Sequence, residues 1–277
     1  VAIWSTGFIV ARFGMPLSPP MKFLAVRYAL SILCFLPWIY FAKVAWPQKP
    51  VQWLHLGVTG ILMHACYLGG VWAAVKAGMG SGLSVLIVGL QPVLTAFWLS
   101  STGGRVTSRQ WTGLVLGFVG LVMVVSSKFG AGGEANFLNM SFAIAALFGI
   151  TIGTLYQKRF VAPCDVRSAN VIQLAAALAV TLPLTLFEAE AMQWRAELYG
   201  AMAWSVLALT LGGSSLLYLL IQRGAAASVT SLMYLVPPVT ALIAWLLFSE
   251  IITVVTIAGT LLTAFGVSLV VRAPKAA

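Results

Sequence analysis

The first candidate for chemistry in this sequence is a histidine in the middle of an apolar run. His64 lies near the centre of the run from Gln52 to Val75, and Tyr67 follows three residues later. Side chains three residues apart share one face of a helix, so this pair forms a polar, uncharged and aromatic patch. Such a patch could bind a small solute or tie two helices together by hydrogen bonds, and the histidine could also carry a proton.

Two tyrosines in the second half of the sequence could complete a binding site with His64. Tyr218 and Tyr234 lie in apolar runs, at positions that we expect to be at a depth comparable with that of His64. Their phenol groups would add hydrogen-bond donors and ring surface to the patch. Packing or lipid contact is the alternative role for aromatic residues at helical spacing.

Prolines within apolar runs predict broken helices at Pro92 and at the adjacent Pro237 and Pro238. Each proline removes a backbone hydrogen bond, and the freed carbonyl groups are tolerated in a membrane only against protein or a cavity. These positions are therefore candidate hinges, and their backbone could also bind an amine or a carboxylate. A plain kink that serves packing is the alternative.

Other reaction types lack the residues that they need in this sequence. No apolar span has Asp or Glu in its interior, and no zinc-protease, paired-aspartate or phosphate-binding-loop motif occurs. An intramembrane enzyme would need His64 beside a nucleophile such as Ser214, a contact that the sequence separation alone does not establish. We therefore expect no enzymatic activity, no cofactor and no metal site.

The composition places these residues in a lipid bilayer. Of the 277 residues, 61% are hydrophobic and 8% are charged, and the mean hydropathy is +1.00, whereas roughly a quarter of the residues in soluble domains are charged. The pattern predicts an all-α integral membrane protein with ten transmembrane helices. The predicted spans are residues 1–13, 21–41, 52–75, 80–100, 109–127, 138–158, 168–187, 200–221, 227–248 and 253–271.

The ten spans divide into two repeats of five helices, residues 1–127 and 138–272. A shift of 146 residues superposes the halves without a gap, and the odd number of spans inverts the second half in the membrane. Inverted repeats around a central cavity are typical of secondary transporters. The same shift predicts that about eight residues of the first span precede Val1. Coinciding residues include Gly7 with Gly153, Pro37 with Pro183, Gly78 with Gly224, Pro92 with Pro238, Gly113 with Gly259 and Gly120 with Gly266.

The basic residues predict the orientation of the chain in the membrane. The formal net charge is +10, from 16 Lys and Arg against six Asp and Glu. Cytoplasmic loops collect Lys and Arg, and the larger share falls inside when both termini are cytoplasmic. Arg27 remains about two turns inside the second span, where we expect it to reach the outer interface, with anion binding as the alternative. We expect a small-molecule substrate and membrane lipid as partners, no nucleic acid, and a functional monomer.

Five motifs resemble the drug/metabolite transporter superfamily and, within it, the EamA-type exporters. They are WSTGFIVARFG, which contains Trp4, FLAVRYALS, the Ala77–Gly78 pair, LQPVLTAFW, and LVPPVTALIAWLLFSE. Within that group the chain resembles the YddG-like exporters of aromatic amino acids. The resemblance implies the bacterial inner membrane and a cavity lined by spans 1, 3, 4, 6, 8 and 9. It adds Trp4 and Gln91 to the candidate substrate-binding residues, and Gln91 stands where some of these exporters have an aromatic residue.

The residues and the resemblance together predict a function. We expect export of small, net-neutral, largely apolar metabolites by alternating access, with aromatic amino acids as the leading class. A cavity without fixed charge favours zwitterions, because an unpaired ion would carry a large desolvation cost. Export of other drugs or metabolites on the same fold is the alternative.

Overall fold

The structure is a computed structural model in which all the regular secondary structure of the described residues is helical. The described residues are 1–79, 84, 87–103, 106–126, 136–224, 226–236, 238–239, 242–243, 246 and 253–271. The helices, in chain order, are α1 (Ala2–Gly14), α2 (Pro20–Phe41), α3 (Pro50–Lys76), α4 (Gln91–Ser101), α5 (Ser108–Ser126), α6 (Phe137–Phe160), α7 (Val166–Leu184, continued by a 3-10 turn, Thr185–Phe187), α8 (Ala196–Arg223), α9 (Ala226–Ser231, continued by a 3-10 turn, Leu232–Leu235) and α10 (Val254–Val271).

Five of these helices are long and apolar enough to cross a membrane. They are α2, α3, α6, α8 and α7 with its 3-10 turn, and the apolar helix α10 is somewhat shorter. The prediction of an all-α membrane protein is confirmed. The helices lie within a few residues of predicted spans, while the full set of ten crossings and the inverted repeat remain predictions.

Two of the long helices contain a π-helical segment near their centre. The segments are Ile61–Cys66 in α3 and Ser205–Ser214 in α8. The shift of 146 residues places Ile61 on Leu207 and Cys66 on Gly212, both inside the second segment. Since π segments widen the helix and rotate the side chains that follow, they often occur at functional sites.

Small residues allow close and extensive contact between α5 and α10. A methyl group at Gly266 would lie 2.5 Å from the carbonyl oxygen of Gly113 and 2.5 Å from the backbone nitrogen of Gly117. These glycines therefore allow the two helices to pack closely. Glycines do the same where α6 crosses α3, since a methyl group at Gly149 would lie 2.9 Å from the carbonyl oxygen of Leu62.

A large apolar cluster fills the space between α1, α2, α3, α6 and α8. It contains Phe23 and Trp72, whose rings stack at a centroid distance of 4.7 Å. On the other side of α2, a second cluster packs Leu24 and Phe35 against α7. These contacts hold the helices around the candidate site at fixed distances.

Polar contacts connect the helix ends. Glu188, after α7, accepts hydrogen bonds from the backbone nitrogens of Met21 and Lys22 at 2.8 Å each and thereby caps the start of α2. At the other end, the side chain of Arg167 donates to Asp165, which lowers the pKa of that carboxyl group. The predicted topology places these two contacts on opposite sides of the membrane. Within each contact, the residues that it joins lie on the same side.

We predict that Gly266→Ala destabilises the bundle, because the new methyl group would overlap the backbone of α5. The expected cost is about 1–3 kcal/mol, seen as a lower melting temperature of the purified protein in detergent. Gly200→Ala is the matched control, because nothing lies within 4 Å of a methyl group there. Equal melting temperatures for the two variants would contradict the close α5–α10 contact.

Candidate functional site

The structure brings together two of the predicted site residues, Trp4 of α1 and Tyr67 of α3. Their rings are parallel, with centroids 6.5 Å apart and an interplanar angle of 3°. Tyr67 is buried and Trp4 is half-buried. The pair forms an aromatic wall between the first and third helices, as the sequence indicated for Tyr67 and as the resemblance implied for Trp4.

A cavity of about 220 Å³ lies on the other side of Trp4. The cavity lies where the two halves differ. The shift of 146 residues places Tyr67 on Gly213, which has no side chain and therefore leaves space beside Trp4. A methyl group at Gly213 would lie 3.5 Å from the Trp4 ring. Apolar residues of α1, α8 and α9 complete the lining, among them Ile3, Leu217 and Val229.

His64 is buried in the π segment of α3, behind the aromatic wall. The hydroxyl group of Tyr28 donates to the carbonyl oxygen of His64 at 2.9 Å, and the two rings meet edge to face. On the other side, α7 packs against the same π segment, and the Nε2 of its Gln173 is buried without a hydrogen-bond partner among the described residues. The backbone of His64 therefore joins α3 to α2, and the roles of its imidazole stay predictions.

The sequence analysis placed Arg27 at the outer interface, and the structure corrects this. Arg27 is only 3% exposed, and its Nε donates to the hydroxyl oxygen of Thr210 in α8 at 2.9 Å. Its guanidinium lies within electrostatic range of both His64 and Tyr67. A fixed positive charge therefore lies close to His64 and Tyr67, while the cavity without fixed charge stays a prediction. Phe23, four residues earlier in α2, belongs to the large apolar cluster.

Gln91 lies at the first turn of α4 and contacts α6, away from the aromatic wall. Its Nε2 donates to the hydroxyl oxygen of Thr154 at 3.2 Å and approaches the carbonyl oxygen of Ile150 at 3.5 Å. Its Oε1 is buried without a hydrogen-bond partner among the described residues. A buried amide with one unsatisfied atom is suited to bind a polar group that enters beside α4 and α6.

Tyr218 does not lie at the depth of His64. It is near the end of α8, where its hydroxyl group contacts the sulfur of Cys164 at 3.1 Å in the connection between α6 and α7. A crevice of about 130 Å³ beside it is lined by Gln157 and Lys158, among others. Tyr218 is eight residues beyond Thr210, the residue that the shift of 146 places on His64, and close to the end of α8 at Arg223. The prediction of a comparable depth is therefore wrong for Tyr218.

Tyr234 lies apart from the other candidates as well. Its ring is fully buried in the apolar cluster of α5 and α10, and a methyl group at Gly117 would lie 2.6 Å from it. Its hydroxyl group has no hydrogen-bond partner in the described parts of the chain. The ring fills the space that Gly117 leaves, so packing explains its position.

The described candidate hinge prolines, Pro92 and Pro238, lie beside breaks in the helices. Pro92 is in the first turn of α4, directly after a turn at Gly89 and Leu90, so the chain breaks before it rather than at it. A 3-10 turn, Leu232–Leu235, precedes the second pair; Pro238 is buried and Pro237 lies outside the described residues. The hydroxyl oxygen of Ser5 in α1 lies 3.2 Å from the carbonyl oxygen of Val236 and 3.0 Å from that of Val1, so its single proton can bond either one. The contact with Val236 is one way in which a neighbouring helix can satisfy backbone beside a proline.

The nucleophile considered for an intramembrane enzyme makes a different contact. The Ser214 hydroxyl group donates to the carbonyl oxygen of Leu209 at 3.4 Å, within its own π segment. The contacts described for His64 are with Tyr28. Among the described residues, no group of three or more His, Cys, Asp or Glu side chains could hold a metal ion.

The helices and the buried site define a multi-pass α-helical membrane protein with polar groups enclosed between its halves. Comparison with known proteins identifies the class more closely. The sequence pattern of the EamA-like transporter family matches residues 1–126 and again residues 138–272. The chain belongs to the EamA-like transporter family.

Relatives from bacteria and archaea are transporters by name. The uncharacterized transporter YvbV of Bacillus subtilis (strain 168) is 25% identical, over 100% of this chain and 90% of YvbV. The uncharacterized inner membrane transporter YedA of Escherichia coli (strain K12) is 25% identical, over 87% of this chain and 78% of YedA. An uncharacterized transporter of Archaeoglobus fulgidus is 22% identical, over 94% of this chain and 93% of its own length.

One solved structure, described as "Crystal structure of protein", superposes on the chain with a TM-score of 0.80. It is 18% identical in sequence, and the match covers 96% of this chain and 92% of the solved one. This likeness shows the fold. With the family, it identifies the chain as a membrane transporter.

We predict that Pro92→Ala slows transport more than it lowers the yield of folded protein. Alanine restores a backbone N–H that can bond the carbonyl group of Val88, so α4 can extend backwards through the turn. The measurement is the turnover rate in proteoliposomes, normalised to folded protein. Pro50→Ala is the control, because Pro50 also lies in a first helical turn, at the exposed start of α3. Unchanged turnover for Pro92→Ala would remove the hinge hypothesis at this position.

Proposed function

We propose that this transporter exports small, net-neutral, largely apolar metabolites across the bacterial inner membrane, with aromatic amino acids as the leading class. The observation that carries the proposal is the parallel pair of Trp4 and Tyr67, buried between α1 and α3 beside a cavity. Parallel aromatic surfaces bind another ring by stacking, at about 0.5–1.5 kcal/mol beyond area burial.

The volume beside the aromatic wall supports a small substrate. The cavity of about 220 Å³ is lined almost wholly by apolar side chains, among them Ile3 and Leu217. A larger or highly charged solute would have to leave its hydration shell to enter such a space. An amino acid with an aromatic ring presents the apolar surface that these residues would bury.

We attribute the transport cycle to alternating access between two inverted halves, with both termini cytoplasmic and the monomer as the working unit. The π segments in α3 and α8 coincide under the repeat and lie where each half contacts the other. The breaks beside Pro92 and Pro238 supply backbone that can change conformation without losing a regular helix. Together, the π segments and the proline breaks would allow the helices of each half to adopt the packing of the other half.

The first test is counterflow in proteoliposomes that contain the purified protein. Vesicles loaded with unlabelled phenylalanine or tryptophan should accumulate the labelled compound transiently, and vesicles without protein should not. Movement of a different class, such as a polyamine or a lipid, without movement of either amino acid would replace this substrate assignment by export of other metabolites.

We predict that Tyr67→Ala raises the KM for an aromatic amino acid about tenfold, because it removes one ring of the aromatic wall. Tyr40→Ala is the matched control, since Tyr40 is 79% exposed at the far end of α2. The measurement is initial counterflow rate against substrate concentration. If the KM changed by the same factor in Tyr67→Ala and Tyr40→Ala, the Tyr67 ring would have no part in recognition.

We predict that His64→Gln changes substrate affinity without changing how the rate depends on a proton gradient. Glutamine retains the hydrogen-bonding capacity of a neutral histidine but carries no proton. A proton on His64 would place a second positive charge close to Arg27. The measurement is uptake with and without an imposed pH gradient. Uphill accumulation in the wild type that is lost in His64→Gln would instead establish His64 as a proton carrier.

A further inference from the structure

Arg27 is a buried cation for which the structure provides an incomplete set of partners. A guanidinium has five N–H donors, and among the described residues only the one on Nε has an acceptor, Thr210. The described acidic residues lie elsewhere. Asp165 pairs with Arg167, Glu190 pairs with Lys76, Glu188 caps α2, and Glu197 is exposed in the first turn of α8. A cation buried in a membrane helix without an acidic partner is rare and expensive.

The internal repeat shows that the helix contact at this place does not need a charge. The shift of 146 residues places Arg27 on Gln173 and His64 on Thr210. The packing of α2 on the π segment of α8 therefore corresponds to the packing of α7 on the π segment of α3. In the second case a neutral glutamine, Gln173, occupies the position of Arg27. The packing of the two helices does not require a charge at this position, so the charge of Arg27 has another use.

The acceptor of Arg27 is fixed in a way that orients the guanidinium. The hydroxyl group of Thr210 donates to the carbonyl oxygen of Ser205, five residues earlier, at 2.9 Å. That spacing follows from the π geometry of α8, and it leaves the lone pairs of the hydroxyl oxygen for Nε of Arg27. The edge formed by the terminal nitrogens is then free to make the paired hydrogen bonds that guanidinium groups make with carboxylates.

We infer that Arg27 binds the carboxylate group of the transported solute. Tyr67, one ring of the aromatic wall, lies within electrostatic range of Arg27, so a bound solute can place its carboxylate on Arg27 and its ring on the wall. The inference rests on the proposed function and deepens it, because it makes the carboxylate, rather than the whole charge of the solute, the recognised group.

The test compares ligands that differ only in the carboxylate group. In thermal-shift titrations of the wild-type protein in detergent, 3-phenylpropanoate should bind at least about tenfold more tightly than 3-phenylpropanamide. Phenylalanine should exceed phenylalaninamide by a similar factor. Arg27→Gln, which places the residue of the repeat at position 27, should abolish both differences, and Arg27→Lys should retain part of them.

Arg159→Gln is the control, because it makes the same chemical change at an exposed position at the end of α6. Equal binding of acid and amide by the wild type would overturn the inference, whether or not Arg27→Gln folds. If Arg27→Gln still bound the acid more tightly than the amide, the inference would also be overturned. Phenylalanine counterflow reports separately on the proposed function: absence of counterflow with carboxylate discrimination intact would refute the aromatic amino acid assignment and leave the carboxylate site standing.

Discussion

The structure depends on one constraint: inside a bilayer, every backbone N–H and C=O group must find its partner within the protein. The constraint explains why the described secondary structure is helical throughout. It also explains why side chains contact the backbone at departures from the α-helix. The π segment of α3 receives a hydrogen bond from Tyr28, and the π segment of α8 receives one from its own Thr210. The two π segments lie where helices from both halves meet.

The sequence predicted the long helices well, because burial in lipid and burial in protein both require long apolar runs. Close packing at Gly113 and Gly266 was predictable too, since small residues at helical spacing have few other uses in a membrane. Single side chains were harder to place. Tyr218 and Tyr234 occupy different places in the bundle from His64. Tyr218 is eight residues beyond Thr210, the residue that the shift of 146 places on His64, and the position of Tyr234 depends on packing against α5 and α10.

Arg27 shows why the site could be predicted only in part. From sequence alone, an arginine two turns inside a span is expected to extend along its apolar stem to the interface. Whether it does so depends on the neighbouring helices, and here Arg27 is buried with its Nε bonded to Thr210 of α8. The hydrogen bond to Thr210 spans 183 residues of sequence. Local sequence patterns contain no information on such a contact. An internal repeat contains such information once the corresponding contact in one half is known.

The two halves share a backbone plan but differ in the side chains that matter for recognition. Where the first half has Arg27 and Tyr67, the second has Gln173 and Gly213 at the corresponding positions. The shared features, glycines, prolines and π segments, are those that a conformational exchange between halves requires. The differing features give one charge, one aromatic wall and, opposite it, the space beside Gly213. In the proposed cycle, a scaffold with the predicted repeat and an asymmetric lining would hold the solute in one orientation while the helices around it exchange their packing.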